Sequence, residues 1–200
     1  GHSSLPVKDN AIYHLSAGLE RLATYDFPVQ MNEVTRAYFE RSASVESDPK
    51  VAADMRAVAR STPDLAAAAR LSAALPYWNS MMRTTCVATR LFGGHANNAL
   101  PQLATANVNC RILPGVPVET VRQQLMSLAD DPGIAFTLAH EPNRASPPPP
   151  LTPFIMAPIE AEAAKLWPGV PVVTILLTGA TDGVHTNAAG IPTYGVSGLF

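Results

Sequence analysis

Three short stretches carry the side chains best suited to chemistry: NNALP at 97–101, ANVNCR at 106–111 and TGATDG at 178–183. Asn98, followed by an apolar pair and Pro101, presents a side-chain amide from a short link between two apparent strands, although an ordinary Asn turn uses the same residue types. On the second strand Thr105, Asn107, Asn109 and Arg111 share one face; the planar guanidinium of Arg111 suits two-point capture of a carboxylate, and a solvated strand face has the same composition. TGATDG puts Gly179, its neighbouring backbone N–H groups and Thr181 at the end of an apolar strand, where open α/β sheets bind ligands. The five histidines, His2, His14, His95, His140 and His185, show no metal-binding spacing, and no Glu-Glu or Cys cluster accompanies them, so no complete metal site is readable. Each taken singly reads as a solvated or hydrogen-bonded histidine, His14 beside an apolar helical stripe being structural. GVSG around Ser197 falls short of a nucleophile elbow, which sets a serine hydrolase aside.

Composition narrows the classes. A chain of 200 residues, 47% hydrophobic and 15% charged, holds one ordinary domain or two small ones and is globular in character. A net charge of -2 offers no basic footprint for phosphate backbones, so no nucleic-acid partner is expected. No apolar stretch reaches bilayer length, so no membrane partner is expected either. The two cysteines, Cys86 and Cys110, cannot build a disulfide framework and form no Cys-x-x-Cys pair; both are expected to pack as small buried hydrophobes.

The elements that must carry these residues follow from periodicity. Ile12, Leu15, Leu19 and Leu22 recur at three and four residues, one face of a helix capped by Asp9 or Asn10 and ending before Pro28. Residues 31–75, rich in Ala, Arg, Glu and Met and broken at Asp48-Pro49 and Ser61-Thr62-Pro63, read as two or three short helices, an insertion over about 28–80. RTTCVATRLF and LATANVNCRIL alternate as strands around GGHANNALPQ; a helix over about 118–129 turns Val121, Leu125 and Leu128 inward; GIAFTLAHE supplies another strand. This order predicts a ferredoxin-like split βαβ sandwich lacking its first strand, with a strand expected upstream of Gly1. The Pro-rich NRASPPPPLTP marks a boundary, after which Thr152 and Pro153 open a helix to about Trp167. VPVVTILLT and IPTYGVSGLF then read as strands of a second α/β unit.

GHSSLP…NAI, MRTTCVATRLFGGHANNALPQLATANVNCRILPG and TGATDGVHTNAAGIPTYGV, in that order, resemble the di-zinc amidohydrolases and metallopeptidases that include aminoacylase, glutamate carboxypeptidase, acetylornithine deacetylase and succinyl-diaminopimelate desuccinylase. The insertion and the RTT strand look most like the carboxypeptidase S branch. The resemblance implies an α+β lid, or dimerisation, domain over 1–146 and a C-terminal piece of an α/β catalytic domain over 151–200. It implies a parent that binds two zinc ions and forms a homodimer through the lid. The parent would hydrolyse an amide bond next to a free carboxylate, in a small peptide or N-acyl amino acid. His2 matches a lid histidine that reaches into the partner's active site and polarises the scissile carbonyl. Asn98 matches a substrate-pocket asparagine and Arg111 the arginine that grips the carboxylate; Gly179, Ala180 and Thr181 match a loop whose amides hold the same end of the substrate, with Asp182 orienting it. The family's His-x-Asp motif, bridging Asp, Glu-Glu pair and further acid precede the lid, and its last ligand histidine follows the final strand. None matches a position here, so the segment alone is expected to bind no zinc and to be inactive. The alternative is a non-catalytic dimerisation or binding module.

Overall fold

The computed structural model describes residues 1–141, 148–179 and 181–197, and the chain gathers into two compact units. The first comprises the described residues of Gly1–Phe27, Thr85–Ile112 and Val116–Asn143; the second comprises those of Pro28–Thr84, Leu113–Gly115 and Arg144–Phe200.

In the first unit, helix α1 (Ala11–Ala23) begins where Asn10 Oδ1 accepts from the N–H groups of Ile12 and Tyr13. That satisfies two donors which would otherwise lack intrahelical partners. The helix faces an antiparallel hairpin, β1 (Thr85–Gly93) and β2 (Ala104–Arg111). The approach is close at Gly93, where a Cβ would lie 3.0 Å from the Ile12 side chain. On its other flank α1 meets the helix after the hairpin (Val118–Ala129), where the buried Gly18 would clash with Ile134 if it carried a Cβ. Val121, Leu125 and Ala129 are the buried residues of that later helix, so Val121 and Leu125 turn inward as their spacing predicts.

The insertion holds three helices within 31–75, in line with its breaks, α2 (Glu33–Ser42), α3 (Pro49–Val58) and α4 (Leu65–Ala74), and a fourth beyond them, α5 (Pro76–Met82). The extra boundary lies at Leu75-Pro76, since proline cannot continue the preceding helix but suits the first turn of the next. Asn32, Asp48 and Asp64 cap the first three of them. Phe39, Met55, Val58, Leu71, Met81 and Met82 close the core of the second unit. With the helix after the hairpin as α6, the C-terminal part adds α7 (Pro153–Leu166) and α8 (Gly183–Ala188).

Three expected strands differ from the structure. Among the described residues only β1 and β2 form a ladder; 134–138, 170–177 and 191–197 have no regular secondary structure. A strand exists only by hydrogen bonding to a neighbour. In 170–177 side chains from the helices take that place: Arg41 donates to the Val172 carbonyl at 2.7 Å, Tyr77 Oη to that of Leu176 at 3.3 Å, and Thr174 Oγ1 reaches back to Val34 O at 3.1 Å. The cysteines correct a second expectation: Cys86 and Cys110 face each other across the ladder, Cα atoms 4.1 Å apart, and are joined in a disulfide. Neither is fully buried, so oxidation rather than apolar packing accounts for their placement.

Candidate functional site

The N-terminal stretch and the hairpin loop are laced together by backbone hydrogen bonds. Ser3 N donates to Asn98 O at 2.8 Å and Leu100 N to Gly1 O at 2.9 Å, so that His2 pairs with Ala99 as an isolated antiparallel bridge. This pairing sets His2 beside Asn98, with Nε2 of the ring 3.1 Å from Nδ2 of the amide. On the other side of the ring Ser4 N donates to Nδ1 at 3.1 Å, and the Ser4 hydroxyl lies 2.8 Å from the same nitrogen. The ring therefore sits between the Asn98 amide at Nε2 and Ser4 at Nδ1, and both His2 and Asn98 are exposed. A groove of about 520 Å³ opens beside it, with Leu5, Val7, Leu100 and Pro101 among its walls.

Arg111 stands elsewhere. It ends β2 opposite Thr85, on the exposed face shared by Thr105 and Asn109, and has no hydrogen-bond or ion-pair partner among the described residues. The strand between Ala104 and Arg111 spans about 23 Å at the usual rise per residue. The structure thus joins His2 to Asn98 and separates Arg111 from the loop end of the hairpin. Gly179 and Thr181 lie in the second unit, Thr181 O accepting from Val184 N at 3.2 Å at the start of α8; Ala180 lies outside the described residues. Asp182 precedes α8 without a side-chain capping bond, its carbonyl accepting from His185 N.

His14 is a structural pin. Its Nδ1 lies 2.5 Å from Asp131 Oδ2 and its Nε2 2.9 Å from Asp9 Oδ1. The two carboxylates, Asp131 first, raise the affinity of the ring for its proton, and His14 together with the Gly133 N–H holds Asp131 below the usual carboxylate range. Arg21 adds to the same joint by donating to the last carbonyls of α6, those of Leu128 and Ala129. The apolar stripe of α1 reveals that it packs on something; nothing in the spacing of 14 and 131 reveals on what.

Among the described residues no three His, Cys, Asp or Glu side chains gather to hold a metal ion. The described residues do not fit a two-zinc centre. Among the described residues no helix is long and apolar enough to cross a membrane.

Residues 1–136 match the M20 peptidase dimerisation domain. N-fatty-acyl-amino acid synthase/hydrolase PM20D1 from Xenopus tropicalis is 25% identical over 189 residues, covering 92% of this chain and 36% of that protein. The mouse protein of that name is 30% identical over 132 residues, 66% of this chain and 26% of its own, and the human one 29% over 151 residues, 74% and 29%. The chain thus spans between a quarter and about a third of the length of these relatives. No solved structure matches it. The match over 1–136 covers more than half of the chain, and the chain belongs to the M20 peptidase dimerisation-domain family.

Proposed function

We propose that this chain is the dimerisation segment of a zinc-dependent metallopeptidase or amidohydrolase, carboxypeptidase- or dipeptidase-like, that hydrolyses an amide bond next to a free carboxylate. Residues 1–146 form its lid and 151–200 return toward its catalytic domain. The observation that carries the reading is the His2–Asn98 pair: two residues 96 positions apart are brought within hydrogen-bond distance, with Ser4 on the other ring nitrogen. Attack on an amide carbonyl puts negative charge on its oxygen, and a donor already aimed at that place stabilises the transition state more than the ground state. His2 supplies that donor, across the dimer, and Asn98 steadies it in the substrate pocket. Arg111 takes the substrate's carboxylate through its unpartnered guanidinium, and the backbone amides of Gly179, Ala180 and Thr181 hold the same end. The relatives' name, N-fatty-acyl-amino acid synthase/hydrolase, agrees with an N-acyl amino acid as substrate. The zinc ions are assigned to the rest of the parent, since this chain's described residues offer no ligand set.

The second reading, a dimerisation module without catalysis, is favoured by the match of residues 1–136 to a peptidase dimerisation domain. Kinetics on a protein extended to the length of the relatives separate the two. Replacing Arg111 with Ala raises KM for substrates with a free carboxylate and leaves the corresponding amides unaffected if the reading is right. Equal losses for both remove Arg111 from the role, and no hydrolysis by the extended wild-type protein leaves the module.

A further inference from the structure

The two halves of the β1–β2 hairpin are not in the same register. On the loop side Gly93 faces Ala104, Phe92 faces Thr105, Leu91 faces Ala106 and Arg90 faces Asn107; beyond Thr89 the pairing is Ala88 with Val108, Val87 with Asn109, Cys86 with Cys110 and Thr85 with Arg111. Thr89 is the extra residue of a β-bulge, and its hydroxyl accepts from Asn107 Nδ2 at 2.7 Å. If the loop-side register ran straight on, Val87 would face Cys110, and Cys86 would pair with Arg111 on the face of the sheet opposite to Cys110, because a one-residue slip turns every side chain over. A Cys86–Cys110 bond is geometrically possible only in the bulged register.

We propose that the Cys86–Cys110 disulfide selects the bulged register and is thereby the positioning element for Arg111, the residue next to Cys110. A two-stranded hairpin is marginal by itself. Here β1 beyond Cys86 is exposed along its length, so burial of β1 side chains offers little to choose between two ladders that differ by one residue. The bond forms by thiol–disulfide exchange with an oxidised dithiol. One Cys thiolate attacks the donor's S–S bond, the second Cys displaces the donor from the mixed disulfide, and the donor leaves as two thiols with the two electrons and two protons. The protein consequently reaches this register where thiols are oxidised, outside a reducing cytosol. The link to Arg111 rests on the role proposed for it above. The choice of register does not, and it is read without any activity.

The test uses the 200-residue chain. Non-reducing proteolysis and mass spectrometry give a cross-linked peptide holding Cys86 and Cys110, and reduction with a dithiol raises amide exchange of 85–88 and 108–111 by about 30-fold or more, the low end of what a disulfide contributes, while the α3 and α4 amides are unchanged. In the double variant Cys86→Ser, Val87→Cys the straight register becomes the one that can be bonded, and a cross-link forms between position 87 and Cys110. Deleting Thr89 is the folding control: Cys86 then faces Cys110 in a straight ladder, the bond forms, and its reduction leaves the strand pairing as it was. Free thiols in the oxidised wild-type protein overturn the proposal. So does a folded double variant whose two cysteines stay unbonded, because the bulged register would then persist without the disulfide.

Discussion

At the scale of single residues, the ring of His2 and the pair around His14 show how neighbours decide what a histidine does. His2 has its ring held at the surface between Ser4 and Asn98, whereas His14 has both nitrogens engaged by carboxylates. The consequence for His14 is a pH dependence with a defined sign. Its folded-state affinity for a proton is raised above the ordinary 6.5, so its contribution to stability is complete below that pH and disappears as pH rises through the folded value. Asp131 is shifted downward from 3.8, so its contribution is present above that pH and is lost as pH falls through the lower, folded value. The clamp is therefore strongest between about pH 4 and 6.5. Thermal melts of the wild type and His14→Gln across pH 4–9 are expected to differ most at pH 5–6 and to converge toward pH 9; parallel curves would show that the carboxylates do not act through His14. Asn98 and Arg111 stand out in the sequence as residue types on a link and on a strand face, and the resemblance names their roles. The contact between Asn98 and His2 is out of reach of spacing arguments, because it depends on Gly1–Ser3 lying along Asn98–Leu100.

At the scale of elements, α1, α6, β1, β2 and α7 are legible in the sequence through the period of their side chains, and because Asn10 and Pro153 mark two of the starts. The expected strands at 134–138, 170–177 and 191–197 are not, since an apolar run of strand length states only that a segment wants burial and leaves its hydrogen-bond partners open. The disulfide is hidden for a related reason. With two cysteines 24 residues apart, pairing depends on the hairpin register, and the register contains a one-residue bulge that alternation alone does not display. Element-scale energetics give two measurable expectations. Reducing the disulfide, or replacing both cysteines with Ala, lowers the unfolding free energy by about 2–4 kcal/mol in denaturant titrations. Replacing Asn10 with Ala costs about 1 kcal/mol through loss of the α1 cap. A change within error in either case would mean that hairpin or helix is held by packing alone.

For the molecule as a whole, the helical insertion holds the larger share of fully buried side chains: Phe39, Val58, Met81 and Met82 are wholly inaccessible. Phe39→Ala should cost about 3–5 kcal/mol and lower the melting temperature sharply. The first unit has few fully buried residues, and its hairpin leaves Val87, Leu91 and Phe92 more than half exposed. An exposed strand with apolar side chains invites pairing with another chain. For a member of the M20 peptidase dimerisation-domain family the proposed partner is a second copy. Analytical ultracentrifugation should show a dimer that Leu91→Lys weakens by tenfold or more in Kd, and a monomer at all concentrations would remove homodimerisation from the account.

The proposed action of His2 on the reacting carbonyl of an amide substrate is tested most directly by steady-state hydrolysis of an N-acyl amino acid by the extended protein, wild type against His2→Ala, with circular dichroism to establish that both are folded. The expected result is a fall in kcat of about a hundredfold to a thousandfold with little change in KM. An unchanged kcat in a folded His2→Ala protein would contradict it.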